Sequence, residues 1–188
     1  SLIRKFEGLA DDIFIGGALA NNFIKRLGME VGRSVVDDEA DTTEFFHKDH
    51  ISIPFDVIVK PSKKSVPLAS VQKDDSIVDI GTETLAELKS KIAAAKTILW
   101  NGPLGLYEEG FDGASKDMLQ AIVASGAFSV IGGGDTVKLV KDLDLEQSLS
   151  FVSTGGGAML AFLAGETLPG IAALEQEIST DEARVRGV

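Results

Sequence analysis

Cysteine is absent from the 188 residues, which removes disulfides, thiolate nucleophiles and cysteine-ligated zinc and agrees with a reducing, cytoplasmic setting. Positive charge is scarce. Eighteen Lys and Arg against 29 Asp and Glu leave a net charge of −11, so no basic field exists to hold nucleic acid or an anionic membrane. A phosphate ligand would have to be held by local geometry and a metal. Apolar runs never approach membrane-spanning length, and Ser1 to Ala10 lacks a signal-peptide core. The chain does not begin with Met, from which a fragment or processed chain is expected. What is present is ordinary for a globular protein: 44% hydrophobic and 25% charged residues, enough for one well-buried domain and short for two. A cytoplasmic monomer is expected.

The chain is organised around Phe128 to Val137, F-S-V-I-G-G-G-D-T-V. Phe128 to Ile131 has the length and composition of a buried parallel strand. Gly132, Gly133 and Gly134 follow, then Asp135 and Thr136 at the predicted start of a helix. Residues without side chains let the backbone come close to a ligand, and the N–H groups of a first helical turn favour an anion. A carboxylate at Asp135 would repel bare phosphate, so it makes sense with a hard cation such as Mg²⁺ between them.

The same order of strand, glycine turn and helix recurs along the chain. A helix is predicted over Arg4 to Leu9, a strand at Ile13 to Ile15, a turn at Gly16-Gly17 and a helix over Asn21 to Leu27. A short helix is expected around Glu39 to His47 and a strand over Phe55 to Val59. Ser62 to Ser76 reads as loop or small hairpin. Ile77 to Ile80 is the next strand, with Thr82 expected to cap a helix carrying Leu85, Leu88 and Ile92. Thr97 to Trp100 is a strand, Ser115 to Ser125 a helix, Thr136 to Leu143 a helix, and Ser150 to Ser153 the last strand before Gly155, Gly156 and Gly157. Alternation of this kind predicts a three-layer, doubly wound, Rossmann-like and mostly parallel α/β sheet in a single domain. Ligands of such sheets bind beyond the carboxyl ends of the strands, where all four glycine-bearing turns fall.

Two familiar nucleotide signatures are missing. G-x-G-x-x-G fails at both triple glycines, where the last position would be Val137 or Leu160, and no G-x-x-x-x-G-K-[ST] occurs. His47 and His50 lack a third ligand of clear spacing and read as a solvated face, as does Asp37-Asp38-Glu39.

Trp100 to Glu108, W-N-G-P-L-G-L-Y-E, resembles the W-N-G-P-x-G-x-[FY]-E segment of the phosphoglycerate kinase family. Gly126 to Thr136 resembles its G-A-x-[ST]-[IV]-x-G-G-G-D-[ST], Ile15 to Ala20 its I-G-G-G-M-A, and Ser153 to Ala158 and Leu168 to Leu174 its closing motifs. The resemblance runs from about Lys5 to Leu174 in the family's order. It departs at Ala18, where the family has a third glycine, and at Thr82, where it has proline.

The resemblance implies the carboxy-terminal, nucleotide-binding lobe of a glycolytic enzyme that exchanges phosphate between ATP or ADP and 3-phosphoglycerate or its bisphosphate. Residues 1–174 would be that lobe and 175–188 an extension with no assigned role. Gly16, Gly17 and Leu106 would line an adenine slot, with Val78 as an apolar wall, and Glu108 would accept from the ribose hydroxyls. Asn101 and Pro103 would border the phosphates beside Gly132, Gly133 and Gly134, Asp135 would bind Mg²⁺, and Thr136 would reach a phosphate oxygen. Gly155, Gly156 and Gly157 would open the helix facing the transferring phosphoryl group. The family's functional lysines and substrate arginines fall outside this sequence, so 3-phosphoglycerate is expected to bind only with an amino-terminal lobe and the chain alone is expected to be inactive. A stand-alone nucleotide-binding module without catalysis is the alternative, and an NAD-binding domain is disfavoured by the failed signature.

Overall fold

The computed structural model describes residues 2–37, 39, 41–46 and 48–174. The expected extension, Asp38 and His47 therefore lie outside the described residues. Three strands form the sheet that carries the triple glycines: β6 (Thr97–Asn101), β7 (Phe128–Gly132) and β8 (Phe151–Ser153), all parallel and in the order β6-β7-β8. Side chains alternate across it. Trp100 and Ile131 are opposite one another in the register and both are buried. That face packs on α3 (Thr82–Ala94), α4 (Gly113–Ser125) and α5 (Gly134–Asp142), through Leu88, Ile92, Leu119, Ile122, Leu139 and Val140. The periodic stripes read from the sequence are the ones that build this core, with Leu85 and Val123 at its margin.

The first half of the chain departs from uniform alternation. β1 (Ile13–Phe14) and β2 (Ile51–Ser52) form a parallel pair. β3 (Asp56–Lys60), β4 (Lys64–Pro67) and β5 (Ser76–Ile80) form an antiparallel sheet, in the order β4-β3-β5. The turn at residues 61–63 is too short for a parallel crossover, so β4 returns antiparallel to β3, and residues 68–75 then carry the chain past β3 to pair on its other edge. Of the two readings of Ser62 to Ser76, the hairpin is the one observed. The helices α1 (Leu2–Phe6) and α2 (Gly17–Arg26) fall where periodicity placed them, within a few residues. Val57 and Val59 bury against Phe23 and Ile24 of α2 and Phe45 in a second cluster, where Phe23 stacks on Phe45 at 6.3 Å. Where a helix was expected over Glu39 to His47, the described residues contain a single 3₁₀ turn, Thr43–Phe45.

Thr82 does not cap α3. The N-cap position is Gly81, and the cap comes from β3: the Asp56 carboxylate accepts from Glu83 N–H at 3.1 Å and Thr84 N–H at 2.7 Å. The Thr84 and Ser65 hydroxyls donate to it as well, at 2.6 and 2.8 Å. Any side chain at Gly81 would collide with that carboxylate, so the glycine is there to let Asp56 in. No described helix is long and apolar enough to cross a membrane. The helix α6 (Gly156–Leu163) follows β8 and completes the frame on which the glycine turns sit.

Candidate functional site

The register of the parallel sheet sets the site. Asn101, Gly132 and Ser153 are level across β6, β7 and β8, so the turns that follow emerge side by side at the carboxyl edge. They are packed without space between them. A Cβ on Gly156 would stand 2.5 Å from the Gly133 nitrogen and 2.9 Å from Asn101 Oδ1. A Cβ on Gly133 would stand 3.0 Å from the Gly102 nitrogen, and Gly133 has a φ of +93°, a left-handed conformation that glycine adopts without strain. Asn101 is thus the centre about which the three turns close. Gly134 and Gly157 face open space.

Two helices begin at this edge, and neither receives a side-chain cap. Their first intrahelical bonds are donated by Val137 to Gly133 O at 2.9 Å and by Met159 to Gly155 O at 2.8 Å. The N–H groups of Gly134, Asp135 and Thr136, and those of Gly156, Gly157 and Ala158, precede those bonds and find no acceptor in their own helix. Together they make an edge that favours negative charge. Asp135 is exposed in the first turn of α5. Thr136 is fully buried, its Oγ1 has no partner among the described residues, and it lies 3.4 Å from where a Gly133 Cβ would be. Among the described residues no three acids or histidines gather to hold a metal. An ion at Asp135 would therefore take its remaining ligands from a bound polyphosphate and water.

A cleft of about 160 Å³ lies between α2, β3 and β5. The loop after β6 runs from the glycine edge to this cleft, which Leu104 and Leu106 line. Its Pro103 carbonyl comes within 3.3 Å of a Cβ position on Gly17, and Leu104 within 2.8 Å of one on Gly16. Gly17, Val78 and Leu106 line the cleft, as the resemblance implied for an adenine slot, and Leu106 N–H donates to Val78 O at 2.8 Å. Gly16 lies behind, against Leu104. Glu108 is exposed and does not line the cleft; Glu109 does, ion-paired with Lys60.

Sequence reasoning missed Asn21, Ser34, Asp79 and Leu104, all of which line the cleft. Asn21 follows Gly17 by four residues on α2, a helical spacing that placed it on the same face. The other three are set by tertiary contacts. Asp79 is buried beneath the loop after β6, and a Cβ on Gly105 would stand 2.6 Å from its Cγ. Burial pushes its carboxyl up to about 6, against hydrogen bonds from the Ile80 and Ala114 N–H groups that pull it down; the Asp112 carboxylate adds to the rise. Lys138, on α5, stands 5.3 Å over the Tyr107 ring, and the Tyr107 hydroxyl bonds Asp142 at 3.2 Å, fastening the loop to α5.

Known proteins resemble this chain in sequence and in fold. The phosphoglycerate kinase family model matches residues 1–166. The phosphoglycerate kinase of Legionella pneumophila (strain Paris) is 40% identical over 190 residues, covering 94% of this chain and 48% of that protein. That of Syntrophobacter fumaroxidans is 41% identical over 180 residues, covering 88% and 45%. Among solved structures, phosphoglycerate kinase from Coxiella burnetii superposes with a TM-score of 0.83 at 34% identity, over 94% of this chain and 49% of that one. The enzyme from Pyrococcus horikoshii gives 0.74 at 30%, over 93% and 48%. The chain spans about half the length of the curated relatives it matches. By the family model, by sequence identity and by superposition, this chain belongs to the phosphoglycerate kinase family.

Proposed function

We propose that this chain is the magnesium-nucleotide-binding part of a phosphoglycerate kinase, exchanging phosphate between ATP or ADP and 3-phosphoglycerate or its bisphosphate. The observation that carries the reading is the convergence of three glycine turns and two uncapped helix starts at one sheet edge, next to a cleft lined by Gly17, Val78 and Leu106. The base lies in the cleft, with Gly16 supporting its wall. Glu108, exposed and outside the cleft lining, accepts from the ribose hydroxyls. The phosphates run along Asn101 and Pro103 to the N–H groups of Gly133, Gly134 and Thr136. Asp135 would hold a magnesium ion, which would supply positive charge toward the phosphates. Gly155, Gly156 and Gly157 present the start of α6 to the group in transfer, where backbone dipoles oppose the charge that develops on it.

A calorimetric titration of the purified chain with MgADP and, separately, NADH tests this reading: MgADP binds and NADH does not. NADH binding without MgADP binding would refute it. A stand-alone nucleotide-binding module is the second reading. A coupled assay separates the two, run with 3-phosphoglycerate and ATP on the chain alone and then with a relative's amino-terminal half added in trans. Transfer needs cations around the migrating group and an acceptor held in line. The kinase reading therefore predicts turnover only when both halves are present.

A further inference from the structure

The stretch from Gly105 to Ala114 leads from β6 into α4 and carries Leu106 and Glu108. Both its ends meet one side chain. Asp79 is buried near the end of β5, and Gly105 lies so close that a Cβ there would stand 2.6 Å from the Asp79 Cγ. At the far end Ala114 N–H, in the first turn of α4, donates to Asp79 Oδ2 at 3.4 Å. Asp112, at the N-cap position, gives that helix no side-chain bond. Asp79 Oδ1 accepts from Ile80 N–H at 2.8 Å. Between these points the stretch folds on itself: Glu109 and Phe111 N–H groups both donate to Leu106 O, at 3.0 and 3.1 Å. Leu106 N–H reaches Val78 O, one residue before Asp79, at 2.8 Å. The stretch is thus seated as a unit on the end of β5.

We propose that Asp79 is the positioning residue of this stretch: its ionised carboxylate, accepting from Ile80 and Ala114 at once, holds Leu106 and Glu108 in place for a nucleoside. Binding of the nucleoside, but not of the phosphates, then depends on that charge. The inference rests on the nucleotide reading above. A carboxylate accepts at both oxygens, whereas a carboxylic acid, like the amide of asparagine, turns a donor toward one of the two N–H groups. The longer bond, from Ala114, is the one that yields. Burial pushes the Asp79 carboxyl up to about 6, so the exchange falls within the ordinary working range of pH. Asp112 is the charged group that bears on it from the packed elements, and it pairs with Lys116 at 2.8 Å. Lys60 and Glu109, which line the cleft with Asp79, pair with each other, and Arg33 pairs with Asp74. The glycine turns after β7 and β8 rest on Asn101 and on one another.

Titration of MgADP and of magnesium pyrophosphate into the unmutated chain and Asp79→Asn, at pH 7.5 and at pH 5, tests the proposal. Asparagine copies the protonated carboxyl. At pH 7.5 the variant should bind MgADP about five- to twentyfold more weakly than the unmutated chain, and pyrophosphate equally well. At pH 5 the difference for ADP should close, because Asp79 is then protonated in the unmutated chain. Titration of the phosphates themselves is common to both proteins and cancels. Equal ADP affinity at pH 7.5 overturns the assignment and leaves the nucleotide site standing. Equal weakening of both ligands overturns it too, since the change then belongs to the whole fold. So does an ADP difference that persists at pH 5. Failure of the unmutated chain to bind either ligand removes the nucleotide reading and this inference with it. Should Asp79→Asn not fold, adenosine, which carries no phosphate, decides the question on the unmutated chain. Its affinity should fall by a similar factor from pH 7.5 to pH 5, and a flat affinity overturns the proposal.

Discussion

Gly156 and Gly133 belong to different glycine turns, yet a methyl group on the first would stand 2.5 Å from the backbone nitrogen of the second. The two turns cannot separate without moving a strand end, because β7 and β8 are hydrogen-bonded up to Gly132 and Ser153. Gly156→Ala should therefore cost about 1–3 kcal/mol, as overpacking does. Gly157→Ala meets nothing within 4 Å and should leave stability unchanged or slightly raised. Its methyl projects into the open face instead, and should weaken ADP binding. Urea denaturation with ADP titration of both variants checks the pair. Equal stability of Gly156→Ala and the parent would contradict the packing described.

Asp56 and α3 give the second prediction. Asp56→Ala removes the acceptor for two α3 N–H groups and for the Thr84 and Ser65 hydroxyls. Loss of a cap together with a buried charge-assisted bond amounts to about 3 kcal/mol. Thr82→Ala, at the position the sequence suggested for the cap, should cost under about 0.5 kcal/mol. Burial pushes the Asp56 carboxyl up, but the Thr84, Ser65 and Glu83 hydrogen bonds prevail and hold it below the usual aspartate range. Its stabilisation is thus present above the ordinary aspartate pKa and lost as pH falls through the depressed value. Thermal melts of parent and Asp56→Ala should converge toward acid pH.

Asp79 titrates in the opposite sense. With a folded-state pKa of about 6, the folded chain holds a proton that the unfolded chain releases between there and the ordinary value near 4. Its contribution to stability is complete below the unfolded value and is lost as pH rises through about 6. The shift corresponds to roughly 3 kcal/mol at full effect. Denaturation midpoints of the parent should rise from pH 7.5 to pH 5, and in Asp79→Asn this rise should disappear. A parallel rise in both would assign it to other groups.

The glycine turns were legible because a close backbone approach leaves a residue-type signature in the chain itself. The core stripes of α3 and α4 were legible because helical spacing is local. The α3 cap was not, since Asp56 reaches it from 28 residues earlier in the chain and no local pattern encodes that meeting. The antiparallel sheet was half visible: the turn at residues 61–63 could be read, but not the pairing of β5 with the edge of β3 opposite β4. At the site, resemblance supplied positions that spacing alone would not, such as Val78 and Leu106. It could not supply Asp79, whose importance lies in its desolvated carboxyl.

The central claim is that the glycine edge binds a magnesium-chelated nucleotide through Asp135. Asp135 is exposed, and among the described residues no cluster of acids or histidines competes for an ion. The most direct measurement is ADP affinity by calorimetry, with magnesium and with EDTA, for the parent and for Asp135→Asn. Magnesium should tighten binding to the parent, and the Asn variant should lose that gain, a change of about 1.5–3 kcal/mol for one charge-assisted contact. Equal ADP affinity of the parent with and without magnesium would contradict it.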